Sequence, residues 1–186
     1  SSDLEKRKKT KGMKQIVKAL PTRWYVVGSF SYMSFIQGLA WFTFSSIPGP
    51  TIDYYKNISV LEINLLLNWG AVVFLLFLPM SAWIATRKGI RIAGILGSAF
   101  LVFGCSIRCI PSLIPGTRGE DFRSKLAGRL FLHAGQMILA LTGPLVFSLP
   151  SKVAFEFFPE NERTTATAII MIASTFSTAV GFILGP

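Results

Sequence analysis

Two pairs of polar and aromatic residues stand inside long apolar stretches. Gln37 and Trp41 are four residues apart, and His133 and Gln136 are three apart, so each pair shares a helix face. An indole ring holds a cationic or flat heteroaromatic solute by stacking or cation–π attraction. An imidazole takes up a proton near neutral pH. Packing between neighbouring helices is the alternative for both pairs.

Further polar residues interrupt the apolar stretches. Asn68 and Trp69 are adjacent, and a buried amide there either lines a solute path or bonds across helices. Arg108 is costly in lipid, so we expect its side chain to extend to the membrane edge. Cys105 and Cys109 are interpreted as small buried residues rather than a disulfide or a metal site.

Long apolar stretches predict the elements that position these residues. Only 15% of the 186 residues are charged, 51% are hydrophobic, and the mean hydropathy is +0.52. Because about 20 apolar residues cross a bilayer as a helix, we expect an all-α membrane protein with five transmembrane helices. The predicted spans cover residues 24–47, 60–84, 90–110, 126–147 and 164–186 of a transporter-like domain over 23–186.

The net charge of +10 is concentrated before the first predicted span. Eight of the 19 Lys and Arg residues lie in the first 23 positions. Basic residues flanking a first span are typical of a cytosolic segment, so residues 1–22 are predicted to form a disordered basic cytosolic tail. Such a tail also contacts anionic membrane lipids. Nucleic-acid binding is not expected, because no aromatic residues interleave with the basic ones.

The distribution of basic residues predicts the orientation. Thirteen Lys and Arg residues fall on the side of the amino terminus and six on the other side, which places the amino terminus in the cytosol. The sequon at Asn57 then faces the lumen or the extracellular space, as glycosylation requires. The odd number of spans suggests that a carboxy-terminal half of the same protein is absent from this sequence.

Several motifs occur in an order and spacing that resemble a known family. They comprise Arg23-Trp24, Gln37-Gly38-Leu39-Ala40-Trp41, Ser46-Ile47, Asn68-Trp69-Gly70, Gly89-Ile90-Arg91, Leu132-His133-Ala134-Gly135-Gln136, Phe157-Phe158, Glu162-Arg163, Ala166-Thr167-Ala168, Gly181-Phe182 and Gly185-Pro186. The pattern resembles the major facilitator superfamily, and within it solute carrier family 49, the feline leukaemia virus subgroup C receptor-related family.

The resemblance implies a fold and a set of site residues. The chain would supply five helices of an amino-terminal six-helix half of a twelve-helix major facilitator fold, which alternates access around a central site. An aromatic residue at the Trp41 position would line the cavity. The expected substrate-binding residues are Gln37, Trp41, Asn68, Trp69, His133 and Gln136. Charged loop residues resemble the family's cytosolic gate, the alternative being that they only fix topology: Arg87, Arg91, Glu160, Glu162 and Arg163.

Some positions depart from the family pattern. Thr86 stands where family members commonly have Asp, which weakens the gate interpretation. Gly143 stands where the choline-carrying relatives have glutamine, and Ser174 and Thr175 replace their amide pair. Choline is therefore not favoured by the resemblance.

The resemblance implies a symporter, a secondary transporter of a small vitamin-like or cationic solute. The best-matching family member suggests pyridoxine, moved with protons across the lysosomal membrane, with the plasma membrane second. Since we expect no Asp or Glu within the spans, His133 or a carboxylate of the absent half would carry the proton. The alternatives are a non-transporting receptor or scaffold, or a choline or haem transporter. No enzyme activity, cofactor or metal is expected.

Overall fold

A computed structural model describes residues 22–55, 58–114 and 126–184, and these segments are almost entirely helical. The helices are α1 (Thr22–Ser46), α2 (Pro48–Tyr55), α3 (Val60–Arg87), α4 (Ile90–Leu113), α5 (Leu126–Ala140), α6 (Thr142–Phe157) and α7 (Arg163–Leu184). A 3₁₀ turn, Glu160–Glu162, precedes α7. The predicted basic tail and Asn57 lie outside the described residues.

Four stretches of the described chain are long and apolar enough to cross a membrane: Val60–Arg87, Ile90–Leu113, Leu126–Phe157 and Glu160–Leu184. Helix α1 has 25 residues, or about 37 Å at 1.5 Å per residue, so it is also long enough. Its Ser, Tyr and Gln residues make it less apolar than the other four. The expected all-α membrane fold is confirmed.

The outer surface of the bundle is apolar, as lipid contact requires. Leu61, Phe103 and Ile172, for example, are 78%, 63% and 64% exposed. In a soluble protein such a continuous apolar surface would promote association. In a bilayer it faces acyl chains, while the backbone groups are satisfied within helices. The protein is therefore an integral membrane protein.

The helix boundaries follow from local sequence signals. Ser59 caps α3: its Oγ accepts from the Glu62 backbone N–H, and the Glu62 carboxylate accepts from the Ser59 N–H, each at 3.2 Å. This capping box satisfies two amide donors at the start of the helix. Between α3 and α4, Gly89 has φ +88°, a conformation that favours glycine. The tight connection makes α3 and α4 antiparallel neighbours.

The structure differs from the sequence-based expectation in three places. Residues 48–55 were expected to form a loop, but they form α2, since Pro48 suits a helix start. Pro111 was expected to end the third span, but α4 continues to Leu113. The fourth span was expected to stop at Phe147, but its helical stretch continues to Phe157 and is interrupted at Leu141. Pro144 explains the interruption, because it has no N–H for the Ala140 carbonyl.

The helices pack in pairs that bring distant segments together. Helix α1 packs mainly on α7, α4 on α5, and α3 on α6. Gly38 permits the close approach of α1 to α7, since a Cβ there would overlap Ser177. Gly104 and Gly135 do the same for α4 and α5: a Cβ on Gly104 would lie 2.9 Å from the Gly135 carbonyl oxygen. Small residues at such contacts are typical of membrane helices.

Candidate solute-binding site

A cavity of about 520 Å³ lies between α1, α3, α6 and α7, with Ala140 of α5 at its edge. We call it the aromatic cavity. It is lined by Gln37, Gly38, Trp41, Phe42, Gly70, Ala71, Phe74, Leu75, Ala140, Gly143, Phe147 and Ser174. Four of these residues are aromatic and none is charged. Its volume lies in the range of small-molecule sites, which are mostly apolar with a few polar groups.

Three helices each contribute lining residues four positions apart. These are Gln37 and Trp41 on α1, Gly70 and Phe74 on α3, and Gly143 and Phe147 on α6. Residues at this spacing lie on one helix face. On α3 and α6 a glycine therefore lies one turn before a phenylalanine. The glycines leave room in the cavity, and the phenylalanines supply aromatic surface.

Trp41 is held against the backbone of α3. A Cβ on Gly70 would overlap the six-membered ring of the Trp41 indole, so the ring occupies the space that a side chain at position 70 would fill. The absence of that side chain lets the indole approach the backbone of α3 closely. Gly70 thus positions Trp41 in the cavity wall.

Another part of the wall is formed by two phenylalanines. Phe74 and Phe147 meet edge to face, with ring centroids 5.6 Å apart. A Cβ on Gly143 would lie 3.9 Å from Phe74, which is ordinary contact. The glycine therefore leaves this side of the cavity open, at the position where the choline-carrying relatives are expected to have glutamine.

The six predicted substrate-binding residues do not all lie in this cavity. Gln37, which is buried, and Trp41 line it. Gln136 does not line it: it is completely buried on α5, and neither amide atom has a hydrogen-bond partner among the described residues. Asn68 is exposed and does not line this cavity. Its role in substrate binding stays a prediction.

Trp69 and His133 form a separate pair between α3 and α5. Trp69 Nε1 donates to His133 Nδ1 at 3.1 Å. The nearby ion pair between Arg129 Nη1 and Glu62 Oε1, at 3.0 Å, also joins these helices, and both charges act on the imidazole. Glu62 lies in the first turn of α3, so the expectation that the spans contain no acidic residue is wrong. The capping box explains why a carboxylate is stable at this helix start.

The predicted gate residues fall into two groups. Glu162 Oε2 pairs with Arg23 Nη2 at 3.0 Å, and Arg163 Nη1 lies 3.9 Å from Glu160 Oε1. Arg87 and Arg91 are exposed and form no ion pair with any residue in the described part of the chain. Glu162 therefore connects α1 to the start of α7, while the two arginines at the α3–α4 turn remain available.

Arg108 does not extend to the membrane edge, contrary to expectation. It is 8% exposed, its Nη1 donates to the Ala40 carbonyl at 2.8 Å, and its guanidinium carbon lies 4.5 Å from the Phe44 ring centroid. Cation–π contact and a carbonyl acceptor keep the side chain inside the bundle.

The cysteines were expected to be buried, but both line a second cavity: Cys105 is half-buried and Cys109 is exposed.

Comparison with known proteins identifies the family of this chain. The model of the Major Facilitator Superfamily matches residues 30–186. The chain belongs to this superfamily. Proteins of this superfamily are generally transporters rather than enzymes.

Several curated relatives confirm the resemblance to solute carrier family 49. The "Solute carrier family 49 member 4 homolog" of Xenopus laevis is 34% identical over 165 residues, covering 88% of this chain and 33% of the relative. The "Choline/ethanolamine transporter FLVCR1" of Mus musculus is 28% identical over 172 residues, covering 89% of the chain and 27% of the relative. The human "Choline/ethanolamine transporter FLVCR2" is 25% identical, covering 92% and 30%. The chain thus spans about a third of the length of these relatives.

Sequence reasoning missed most of the lining residues that the major facilitator fold brings together, among them Phe42, Gly70, Phe74 and Phe147. The glycine-to-aromatic spacing of four on α3 and α6 was a signal for the last three. That signal is weak in a chain with 16 phenylalanines, because lipid-facing and cavity-facing rings look alike until the helices are packed.

Proposed function

We propose that this chain is the amino-terminal part of a secondary active transporter that binds a small organic solute in the aromatic cavity and moves it by alternating access. Membership of the Major Facilitator Superfamily supports the mechanism. The observation that carries the site is that Gln37 and Trp41 line one space together with Phe42, Phe74 and Phe147.

The chemistry of the wall favours a flat or cationic solute. The faces of Trp41 and the phenylalanines provide stacking and cation–π attraction. Gln37 and Ser174 provide a few hydrogen-bonding groups, which fix orientation in a mostly apolar site. Pyridoxine, a flat heteroaromatic with hydroxyl groups, suits this combination, and it is the solute that we propose.

Choline or ethanolamine is the second candidate, because two relatives are named as transporters of these cations. A quaternary ammonium is recognised by aromatic rings, and the cavity has four. The open wall at Gly143 provides no amide contact for the hydroxyl of choline. For this reason we place choline second.

We further propose that transport is coupled to protons through His133. Its Nδ1 accepts the Trp69 hydrogen bond, so protonation of that nitrogen would release Trp69. Trp69 directly precedes Gly70, on which the Trp41 indole rests. Protonation would thereby loosen the segment of α3 that supports the cavity wall, which links the proton to the solute site.

The proposed setting is the lysosomal membrane with a cytosolic amino terminus, where the acidic lumen would supply the protons. The bias of basic residues supports this orientation. Glycosylation at Asn57 tests it: in cells, Asn57→Gln should remove a glycan-dependent mobility shift. Accessibility of an amino-terminal tag only from the lumen would contradict the orientation.

Binding to the purified full-length protein tests the function. Pyridoxine and choline are titrated by calorimetry into the wild type, Trp41→Ala and Trp83→Ala. Trp83 is 55% exposed on α3 and does not line the cavity, so it is the matched control. Loss of binding in Trp41→Ala alone supports the site. Binding without uptake into vesicles would favour a receptor or scaffold, and equal binding by all three proteins would reject the aromatic cavity.

A further inference from the structure

A second cavity contains a buried positive charge. This space of about 430 Å³ lies between the last turns of α1, helix α2 and the last turns of α4, and we call it the arginine cavity. Its lining comprises Ala40, Thr43, Phe44, Ile47, Pro50, Thr51, Tyr54, Tyr55, Cys105, Arg108, Cys109 and Ser112. It shares no lining residue with the aromatic cavity.

Arg108 lacks a counter-charge among the described residues. No carboxylate of that part of the chain lies within ion-pair distance, and the titratable groups that interact with it are Tyr55, Cys105 and Cys109. A buried charge without a partner is costly. Contact with the Phe44 ring and one hydrogen bond to Ala40 offset part of this cost.

The guanidinium retains hydrogen-bonding capacity. It has five N–H donors, of which one on Nη1 is directed to the Ala40 carbonyl. The neighbouring hydroxyls of Thr43 and Thr51 donate to the carbonyls of Leu39 and Ile47, at 2.9 and 2.6 Å, so they do not compete as donors for a ligand. Arg108 is therefore the only charged residue that faces this cavity from the described elements.

We propose that the arginine cavity binds an anionic oxygen group, such as the carboxylate of a small organic acid, through Arg108. An arginine fork matches a carboxylate in geometry as well as charge. Phe44, Ile47 and Pro50 supply apolar surface for the body of the ligand. Burial of Tyr55 raises the pKa of its phenol, so the phenol stays neutral and does not repel an anion.

Two sources supply this chemistry, a soluble carboxylate and the headgroup of an anionic lipid. Benzoate is the probe for the full-length protein in phosphatidylcholine nanodiscs, and benzamide is its uncharged counterpart. Arg108→Gln removes the charge, and Lys88→Gln, at an exposed cation just before the other end of the same helix, is the matched control. We expect benzoate to bind, benzamide not to bind, and only Arg108→Gln to weaken benzoate binding, by about tenfold or more.

Equal binding of benzamide, no benzoate binding by the wild type, or unchanged binding in a folded Arg108→Gln protein would overturn the proposal. If Arg108→Gln does not fold, Cys109→Phe fills the cavity and keeps the guanidinium: weakened benzoate binding supports the site, and unchanged binding overturns it. Nanodiscs with added phosphatidylserine distinguish the sources. If phosphatidylserine weakens benzoate binding, the natural anion is a lipid headgroup. If benzoate binding is unaltered, the natural anion is a soluble carboxylate.

Discussion

The indole nitrogen of Trp69 donates to Nδ1 of His133 across 3.1 Å, joining α3 to α5. An imidazole nitrogen accepts a hydrogen bond only when it carries no proton. The contact therefore belongs to the neutral form of His133. Glu62 and Arg129 are the charged groups that act on this ring, and because they are paired with each other their effects partly cancel.

Acidification should break the Trp69–His133 hydrogen bond. Between about pH 8 and pH 5 a histidine gains a proton, so the Trp69 indole N–H signal in NMR should move as the pH falls. Trp69→Phe identifies that signal. In His133→Gln the signal should not depend on pH over this range. The same pH response in His133→Gln would show that another group causes it.

A side chain at position 70 should displace the Trp41 indole. Gly70→Ala places a methyl group where the ring now lies, and such overpacking costs about 1–3 kcal/mol. We expect solute affinity to fall by about tenfold, since 1.4 kcal/mol corresponds to that factor. The measurement is the calorimetric titration described above.

Gly28→Ala is the matched control for Gly70→Ala, since no atom lies within 4 Å of a Cβ at that position. It should bind solute as the wild type does. Unchanged affinity in Gly70→Ala would mean that the present position of Trp41 is not the one that holds the solute.

The ion pair between Arg23 and Glu162 should stabilise the contact of α1 with the start of α7. The two side chains are 17% and 36% exposed, and partly exposed pairs contribute about 1 kcal/mol or less. A double-mutant cycle with Arg23→Gln and Glu162→Gln, followed by thermal unfolding, measures the coupling. We expect a positive coupling that decreases at high salt.

Arg87→Gln is the control for this cycle, because Arg87 is exposed and has no ion-pair partner in the part of the chain that the structure describes. It should not couple to Glu162→Gln. A coupling of zero between Arg23 and Glu162 would show that the pair only reflects proximity.

The sequence was sufficient to predict the membrane fold and its family. Uncharged runs such as 164–186 are long enough to cross a bilayer, and few soluble proteins contain several. Motif order supplied the family. The helix ends were less predictable. Helix α4 continues past Pro111 because, in a membrane helix, neighbouring helices satisfy the backbone groups around a proline.

The site was only partly predictable, because lining depends on how helices rotate against one another. Gln37 and Trp41 share the face that lines the aromatic cavity, whereas Asn68 is one residue from Trp69 and two from Gly70 and is exposed. Arg108 was misinterpreted for a related reason. The sequence shows the cost of a charge in lipid, but Phe44 and the Ala40 carbonyl, which reduce that cost, lie 64 and 68 positions away.

The central claim is that the aromatic cavity holds a solute that the full-length protein transports. Its most direct test is uptake of labelled pyridoxine into vesicles with an imposed proton gradient, compared between the wild type, Trp41→Ala and Trp83→Ala. We predict uptake that requires the acidic side, is lost in Trp41→Ala and persists in Trp83→Ala. No gradient-driven uptake by a correctly inserted wild-type protein, or equal uptake by Trp41→Ala, would contradict the claim.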